Sequence, residues 1–367
     1  MPNVLIFKET LLPPSETFIL AQMGALTRFS PHLVGLEPTP RSLPIEKRPL
    51  LLSRRASRTA DLRAKLYRRT GFAPLFHYKM RHLQPDLIHA HFASGGKTLL
   101  PVHKGLQRPL IVTLHGGSDV PVQKPQMGVY GKLAEKASLF LCVSDFIRKQ
   151  AIEAGFPPEK LVVHYIGIDR SLFLPPSEIT ATDSVLFIGR LVEMKGGEYL
   201  LRAMDTVQKS RPMSELTIVG DGPLRPELEK LAAELEVKCT FLGVQPPAAV
   251  RQLLQRSRLL CLPSVTTSTG DREGLPTVLV EAQAMGVPVV STVHSGIPEA
   301  VIDGVTGLLV PERDSEKLAD ALLKLLEDRD LWQRFHVATQ AHVDKHFDLR
   351  TQTALLEDIY TEHLART

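Results

Sequence analysis

In the stretch GDREGLPTVLVEA (Gly270–Ala282) two carboxylates, Glu273 and Glu281, stand on either side of a Gly-Leu-Pro turn. Pro276 suits the first turn of a helix, where its missing N–H costs little. The pattern predicts a helix from Pro276 to about Met285 that stops at Gly286. Glu273 then lies on the loop feeding the helix, and Glu281 lies inside it among Val278, Leu279, Val280, Ala282, Ala284 and Met285. A helix this apolar is largely buried, and a buried carboxylate without donors costs several kcal/mol. A pair of sugar hydroxyls would supply donors, and free amides at the helix start suit a phosphate. A buried arginine or a backbone amide would satisfy the glutamate equally well.

Strand-like runs alternate with helical stretches along nearly the whole chain and must position these groups. They are NVLIF (from Asn3), HLVGL (His32), DLIHAHF (Asp86), LIVTLH (Leu110), LFLCVS (Leu139) and LVVHYI (Leu161). A second set follows: SVLFIG (Ser184), ELTIVG (Glu215), KCTFLG (Lys238), LLCLPS (Leu259), VPVVST (Val287) and TGLLV (Thr306). Most are near-continuously apolar, as in strands buried on both faces of a parallel sheet, with helices as crossovers. DRSLFLPPSEITATD (Asp169–Asp183) breaks the pattern with paired prolines and small polar residues, the mark of a linker. A length of 367 residues is comfortable for two domains. The expectation is α/β: Rossmann-like domains at 1–169 and 184–345, facing each other across a cleft, a linker at 170–183, and a final helix at 346–367 returning to the first domain.

Hydrophobic content of 43% and charged content of 23% are ordinary for a globular protein. No run approaches the roughly 18 apolar residues of a membrane helix. The opening MPNVLIFKETLLPPSE has no basic start and too short an apolar run for a signal peptide, so a cytoplasmic location is expected. Cys142, Cys239 and Cys261 are far apart in apolar runs, which fits reduced core thiols. Charge is uneven: 12 Lys or Arg between Arg41 and Arg81 face only Glu46 and Asp61. Such a block attracts an anionic membrane surface on the inner face, or is simply a solvated helix face. Nucleic acid is not expected as a partner, because aromatics make up only 6% and no nucleic-acid motif accompanies the charge.

EGLPTVLVE resembles the E-x7-E motif of family-4 retaining glycosyltransferases, which have the GT-B fold. FIGRLVEMKG (Phe187–Gly196), LTIVGDGPLR (Leu216–Arg225), FLG (Phe241–Gly243), GVPVVSTVHSGIPEAV (Gly286–Val301) and DGVTGLLVP (Asp303–Pro311) fit the same family. So do HAHF, VTLHGGSD, CVSDFIRKQ and IGID in the first half. SETFI (Ser15–Ile19) and GDREGLP look most like bacterial exopolysaccharide enzymes of the colanic-acid and amylovoran kind.

The resemblance implies roles by position. Arg190 and Lys195 would contact the donor diphosphate, where fixed cations offset the charge that builds on the leaving group, with no metal or cofactor required. Glu281 would hold the ribose hydroxyls, and Glu273 the hydroxyls of the transferred sugar. The amides of Gly274, Leu275 and Thr277 would help with phosphate or sugar. His115, ending LIVTLH before Gly-Gly, is expected to be well exposed and to touch sugar or acceptor. Asp119 and Ser144 are acceptor-side candidates on the same rim. The first loop, KETLLPPSETF, lacks the family's Gly-Gly pair. Ser15 is a cap candidate for a helix beginning near Glu16, and these two are assigned to the acceptor side.

The implied activity is transfer from a nucleotide sugar, UDP-linked in preference to GDP-mannose, to a saccharide or lipid-linked saccharide. A sugar-nucleotide epimerase or a silent binding module on the same fold is the alternative. SGGKTLL (Ser94–Leu100) lacks the first glycine of a P-loop. DRD (Asp328–Asp330) is expected on the surface of a late helix.

Overall fold

The computed structural model describes residues 1–13, 16–39, 43, 45, 48–53, 57–116, 119–120, 127–175 and 183–365. The chain forms two compact units: Met1–Gly167 with Leu349–Thr367, and Ile168–Asp348.

The first unit holds a seven-stranded parallel sheet. Its order is Leu50–Leu51, Ser30–Gly35, Asn3–Phe7, Leu87–His91, Leu110–Leu114, Leu139–Cys142 and Leu161–Val163. The second unit holds a six-stranded parallel sheet in the order Cys239–Gly243, Glu215–Val219, Ser184–Ile188, Leu259–Leu262, Val289–Thr292 and Gly307–Val310. All twelve strands expected from the apolar runs are present. The central ones are buried on both faces, as Leu87–His91, Leu110–Leu114 and Leu259–Leu262 show. Each buried Val, Leu or Ile contributes about 1.5–3 kcal/mol, so the sheets are rigid platforms for the loops at their ends. Cys239–Gly243 is an edge strand and only half-buried.

Strand order reverses once in each sheet. In the first it reverses between Asn3–Phe7 and Leu87–His91, and in the second between Ser184–Ile188 and Leu259–Leu262. At such a switch point two neighbouring loops leave their strands in opposite directions and open a crevice at the carboxyl ends.

The final helix, Leu349–Ala365, belongs to the first unit. Its Leu356 and Tyr360 join the core with Val4, Ile6, Phe29 and Leu141. Its buried Glu357 accepts from the amides of Thr27 and Arg28 at 2.7 and 2.6 Å. The stretch expected as a linker is, over its described part, attached to the second unit. Arg170 pairs with Asp344 at 2.7 Å and donates to the Ala284 carbonyl, and the Phe173 ring lies under Arg251.

Ser94–Leu100 lies in the helix Ala93–Leu106, where Gly95 and Gly96 are buried and a Cβ on Gly96 would press on Leu133 and Val112. Those glycines are therefore packing residues. DRD sits at the junction between the helices Ser315–Glu327 and Arg329–His346, where Asp328 caps the second through the Leu331 amide. Cys142 and Cys261 are buried free thiols, and burial pushes Cys142 up to about 12.

Candidate active site

The two loops leaving the switch point of the second sheet carry the charged residues singled out above. After Ser184–Ile188 the chain passes Arg190 and makes a short turn, Glu193–Lys195, before the helix Gly197–Ser210. After Leu259–Leu262 it runs through Glu273 to the helix Thr277–Ala284. Gly196 lets the loops approach. Its φ is +67°, and a Cβ there would stand 1.9 Å from the Pro263 carbonyl oxygen.

Lys195 Nζ lies 2.6 Å from Glu273 Oε1 with both side chains largely buried. Ser264 donates to the same Oε1 at 3.1 Å. Glu273 Oε2 takes no hydrogen bond from the described residues. Arg190 is exposed, and its guanidinium has no partner among them. The amides of Gly274, Leu275 and Thr277 donate to no described group, as the first residues of a helix do in the absence of a cap. Pro276, the N-cap residue, contributes no side-chain cap.

Glu281 sits in this helix with neither hydrogen bond nor ion pair among the described residues. Burial pushes its carboxyl up to about 7, against the opposing charge of Arg251. The arginine or amide partner that would have made it a structural residue is therefore not among those residues.

Further ties fasten the two loops together. Val265 donates to the Met194 carbonyl at 2.9 Å, and Ser268 donates its amide and hydroxyl to Glu193. Arg313 bridges the Thr266 carbonyl, Glu193 and the Tyr199 hydroxyl. Glu312 accepts from the Thr266 amide at 2.8 Å and meets His294 Nδ1 at 2.7 Å, while His294 Nε2 accepts the Glu273 amide at 3.2 Å. Burial pushes the Glu312 carboxyl up, but Thr266 and His294 outweigh it and hold it below its ordinary value. Sequence reasoning missed His294 and Glu312. The only signal was their position, each just beyond a predicted strand. A cavity of about 510 Å³ shares Arg190 and Lys195 with this site but is lined by neither Glu273 nor Glu281.

The first unit gathers a second group at its own switch point. Lys8 follows the strand Asn3–Phe7, pairs with Glu16 at 3.2 Å and stands 4.1 Å over the Phe92 ring. Glu16 immediately precedes the helix Thr17–Ala25 without capping it. Burial raises its carboxyl, and Lys8 opposes this. Ser15 lies outside the described residues. Phe92 opens the helix Ala93–Leu106 with φ +69°, a strained value for an aromatic residue.

His115 is not the exposed group expected. Its ring is packed against Phe18, Phe92 and His91, its Nε2 meets His91 Nδ1 at 3.0 Å, and its Nδ1 is buried without a partner among the described residues. Burial, with the charges of Lys8 and His89, lowers its pKa to about 3, so the ring is neutral at pH 7. Asp119 is buried and accepts from the amides of Ala93 and His115, both at 2.8 Å. Ser144 is wholly buried as the N-cap of the helix Asp145–Glu153 and accepts the Ile147 amide. These two rim candidates are thus occupied in holding backbone.

Two family models match the chain: Glycosyltransferase Family 4 over residues 20–172, and Glycosyl transferases group 1 over residues 176–342. A proposed colanic acid biosynthesis glycosyltransferase of Escherichia coli, WcaL, is 35% identical over 245 residues, which are 65% of this chain and 60% of that protein. The chain thus spans about 60% of the length of that relative. TuaC of Bacillus subtilis, a proposed teichuronic acid biosynthesis glycosyltransferase, is 32% identical over 74% of this chain and 68% of its own. The crystal structure of Anabaena HepE with UDP and glucose matches with a TM-score of 0.78 at 21% identity, over 98% of this chain and 100% of its own.

Proposed function

This chain belongs to glycosyltransferase family 4 and has the GT-B fold, and from that premise we propose that it moves a sugar from a UDP-linked donor to a hydroxyl of a saccharide or lipid-linked saccharide. The observation that carries the reading is the charge arrangement at the switch point of the second sheet. Among the described residues Arg190 and the Glu281 carboxylate have no partner, and Lys195 is held in place by Glu273. The second unit takes the nucleotide sugar and the first takes the acceptor. Glu281 accepts the ribose hydroxyls, and Glu273 Oε2 accepts a hydroxyl of the sugar. Arg190, the remaining N–H donors of Lys195 and the amides of Gly274, Leu275 and Thr277 receive the diphosphate. The binding of UDP by HepE favours that nucleotide.

In the reaction the bond from the anomeric carbon to the diphosphate oxygen breaks and the electron pair leaves with the diphosphate. The acceptor oxygen attacks from the same face, and its proton passes to the departing phosphate oxygen, so configuration is retained. Arg190 and Lys195 supply the positive charge the leaving group needs. Acceptor-dependent UDP release tests this reading, and isomerisation of the donor without an acceptor would replace it by an epimerase.

The acceptor is lipid-linked in this proposal because of the helices Arg58–Thr70 and Pro74–His82. Their buried faces are Ala60, Ala64, Tyr67, Phe76 and Met80. Outward stand Leu62, Leu66, Phe72, Leu75 and Tyr78, each more than half exposed, among Arg58, Arg63 and Arg69. Apolar residues interleaved with cations suit an anionic membrane surface. Of the other basic residues in the block, Arg41, Lys47, Arg54 and Arg55 lie outside the described residues. Failure of anionic vesicles to retain the protein at low salt would remove the membrane from the account.

A further inference from the structure

We propose that His294 and Glu312 are positioning residues that hold Glu273 in the geometry the donor sugar meets. The inference rests on the donor-site reading above and adds two residues to it. His294 is 2% exposed and stands between two fixed groups, the Glu312 carboxylate at Nδ1 and the backbone amide of Glu273 at Nε2. An amide N–H can only donate, so Nε2 must carry the lone pair, and the proton therefore sits on Nδ1 facing Glu312. Ser295 Oγ lies 3.1 Å from the same Nε2 and can share its lone pair as a second donor. That tautomer fits both the Glu273 amide and the Glu312 carboxylate, and Glu312 selects it.

The arrangement has a purpose at Glu273. The Glu273 amide is buried just before a helix whose first amides are uncommitted, so no helical carbonyl holds it. Without Nε2 the peptide is free to rotate, and the carboxylate would swing away from Lys195 and Ser264. Glu312 ties the other end of the loop at the same time by accepting the Thr266 amide and hydroxyl. A single carboxylate thus sets both the start of the loop, at Thr266, and its catalytic end, at Glu273. Ser264, which binds Glu273 Oε1, lies close by in sequence, so an error at either end reaches the same oxygen.

The experiment has a structural arm and a kinetic arm, both on the full chain. In the first, a long-range ¹H–¹⁵N spectrum of histidine-labelled protein reports the His294 tautomer, and hydrogen exchange reports the Glu273 amide. The expected result is an Nδ1–H tautomer in the parent and exchange at Glu273 at least tenfold faster in His294→Ala. In His294→Gln, whose amide oxygen reaches the place of Nε2, exchange returns towards the parent rate. An Nε2–H tautomer, or unchanged exchange in His294→Ala, overturns the proposal whatever the enzyme's donor.

In the second arm hydrolytic UDP release, with water in place of the acceptor hydroxyl, is followed from UDP-glucose, UDP-galactose and UDP-N-acetylglucosamine, alongside the affinity for UDP alone. The expected result is a kcat at least tenfold lower in His294→Ala, UDP affinity changed by less than threefold, and partial recovery in His294→Gln. A parent-like kcat in His294→Ala, or equal loss of UDP affinity and kcat, overturns the positioning role. A parent that neither binds UDP nor releases it from any of the three contradicts the UDP-sugar reading instead, and the exchange result still decides whether His294 holds Glu273.

Discussion

Lys195 and Glu273 come from the two loops that diverge at the switch point of the second sheet, and they meet at 2.6 Å. The pair fixes the ammonium where a diphosphate would need it and uses only one oxygen of the carboxylate. Removing one partner leaves the other buried and uncompensated, which costs about 3 kcal/mol. Lys195→Ala and Glu273→Ala should each lower stability by about that much, and the double variant by clearly less than the sum. Urea unfolding of the four proteins measures the coupling. Strict additivity would mean that the ion pair contributes nothing in solution.

Gly196→Ala should cost more than about 2 kcal/mol. The backbone there is left-handed, and the added Cβ would collide with the Pro263 carbonyl, a backbone atom that cannot swing aside. Because Lys195 is the adjacent residue, turnover should fall with stability. A melting temperature equal to the parent's would show that the loops are further apart than described.

Glu281 makes the stability of the free protein fall with rising pH. Its ordinary value is 4.5 and burial lifts it to about 7. Between those values the folded chain keeps a proton that the unfolded chain has lost, so folding is favoured at the acid end of the window. Above about 7 both states are ionised and the full burial penalty stands. Glu281→Gln should therefore match the parent near pH 4.5, gain on it as pH rises, and hold a constant advantage of about 2 kcal/mol above pH 7. Denaturant midpoints across that range check the sign. A variant less stable than the parent at pH 8 would imply a partner for the carboxylate.

Asp119→Asn should destabilise the first unit by about 1–3 kcal/mol, because the amide nitrogen of asparagine would face one of two backbone donors, Ala93 or His115. UDP affinity should not change, because the nucleotide is assigned to the second unit. A loss of UDP affinity with unaltered stability would move Asp119 into the donor site.

The triple variant Arg58→Gln, Arg63→Gln, Arg69→Gln should weaken binding to vesicles containing anionic lipid by on the order of 100-fold at low salt, taking ~1 kcal/mol per charge. Vesicle sedimentation measures it. An unchanged affinity would leave those arginines as an ordinary solvated face.

The strands were legible because a strand buried on both faces must be continuously apolar, and NVLIF, LIVTL and LLCL say so directly. The helix after Pro276 was legible from its proline and from Gly286, whose φ is +74°. What the sequence could not show was which groups already have partners. In one dimension Lys195 and Glu273 are two separate ligand contacts, yet in the fold each holds the other. His115 ends a strand before glycines, which points to exposure, but Phe18 and Phe92, which come from other elements, half-bury its ring. Ser144 and Asp119 look like rim residues in one dimension and prove to hold backbone amides. His294 and Glu312 share no spacing pattern, since only the folding of two loops brings them together. The link between Glu357 and the turn at Thr27 and Arg28 likewise depends on the last helix lying on the first unit.

The proposed binding of a nucleoside diphosphate by the second unit rests on Glu281, whose carboxylate has no partner among the described residues. Calorimetric titration with UDP, GDP, ADP and TDP, beside Glu281→Ala, tests it most directly. UDP should bind most tightly, and its affinity should fall at least tenfold in the variant. Equal binding of UDP by parent and variant, or binding of none of the four, would contradict it.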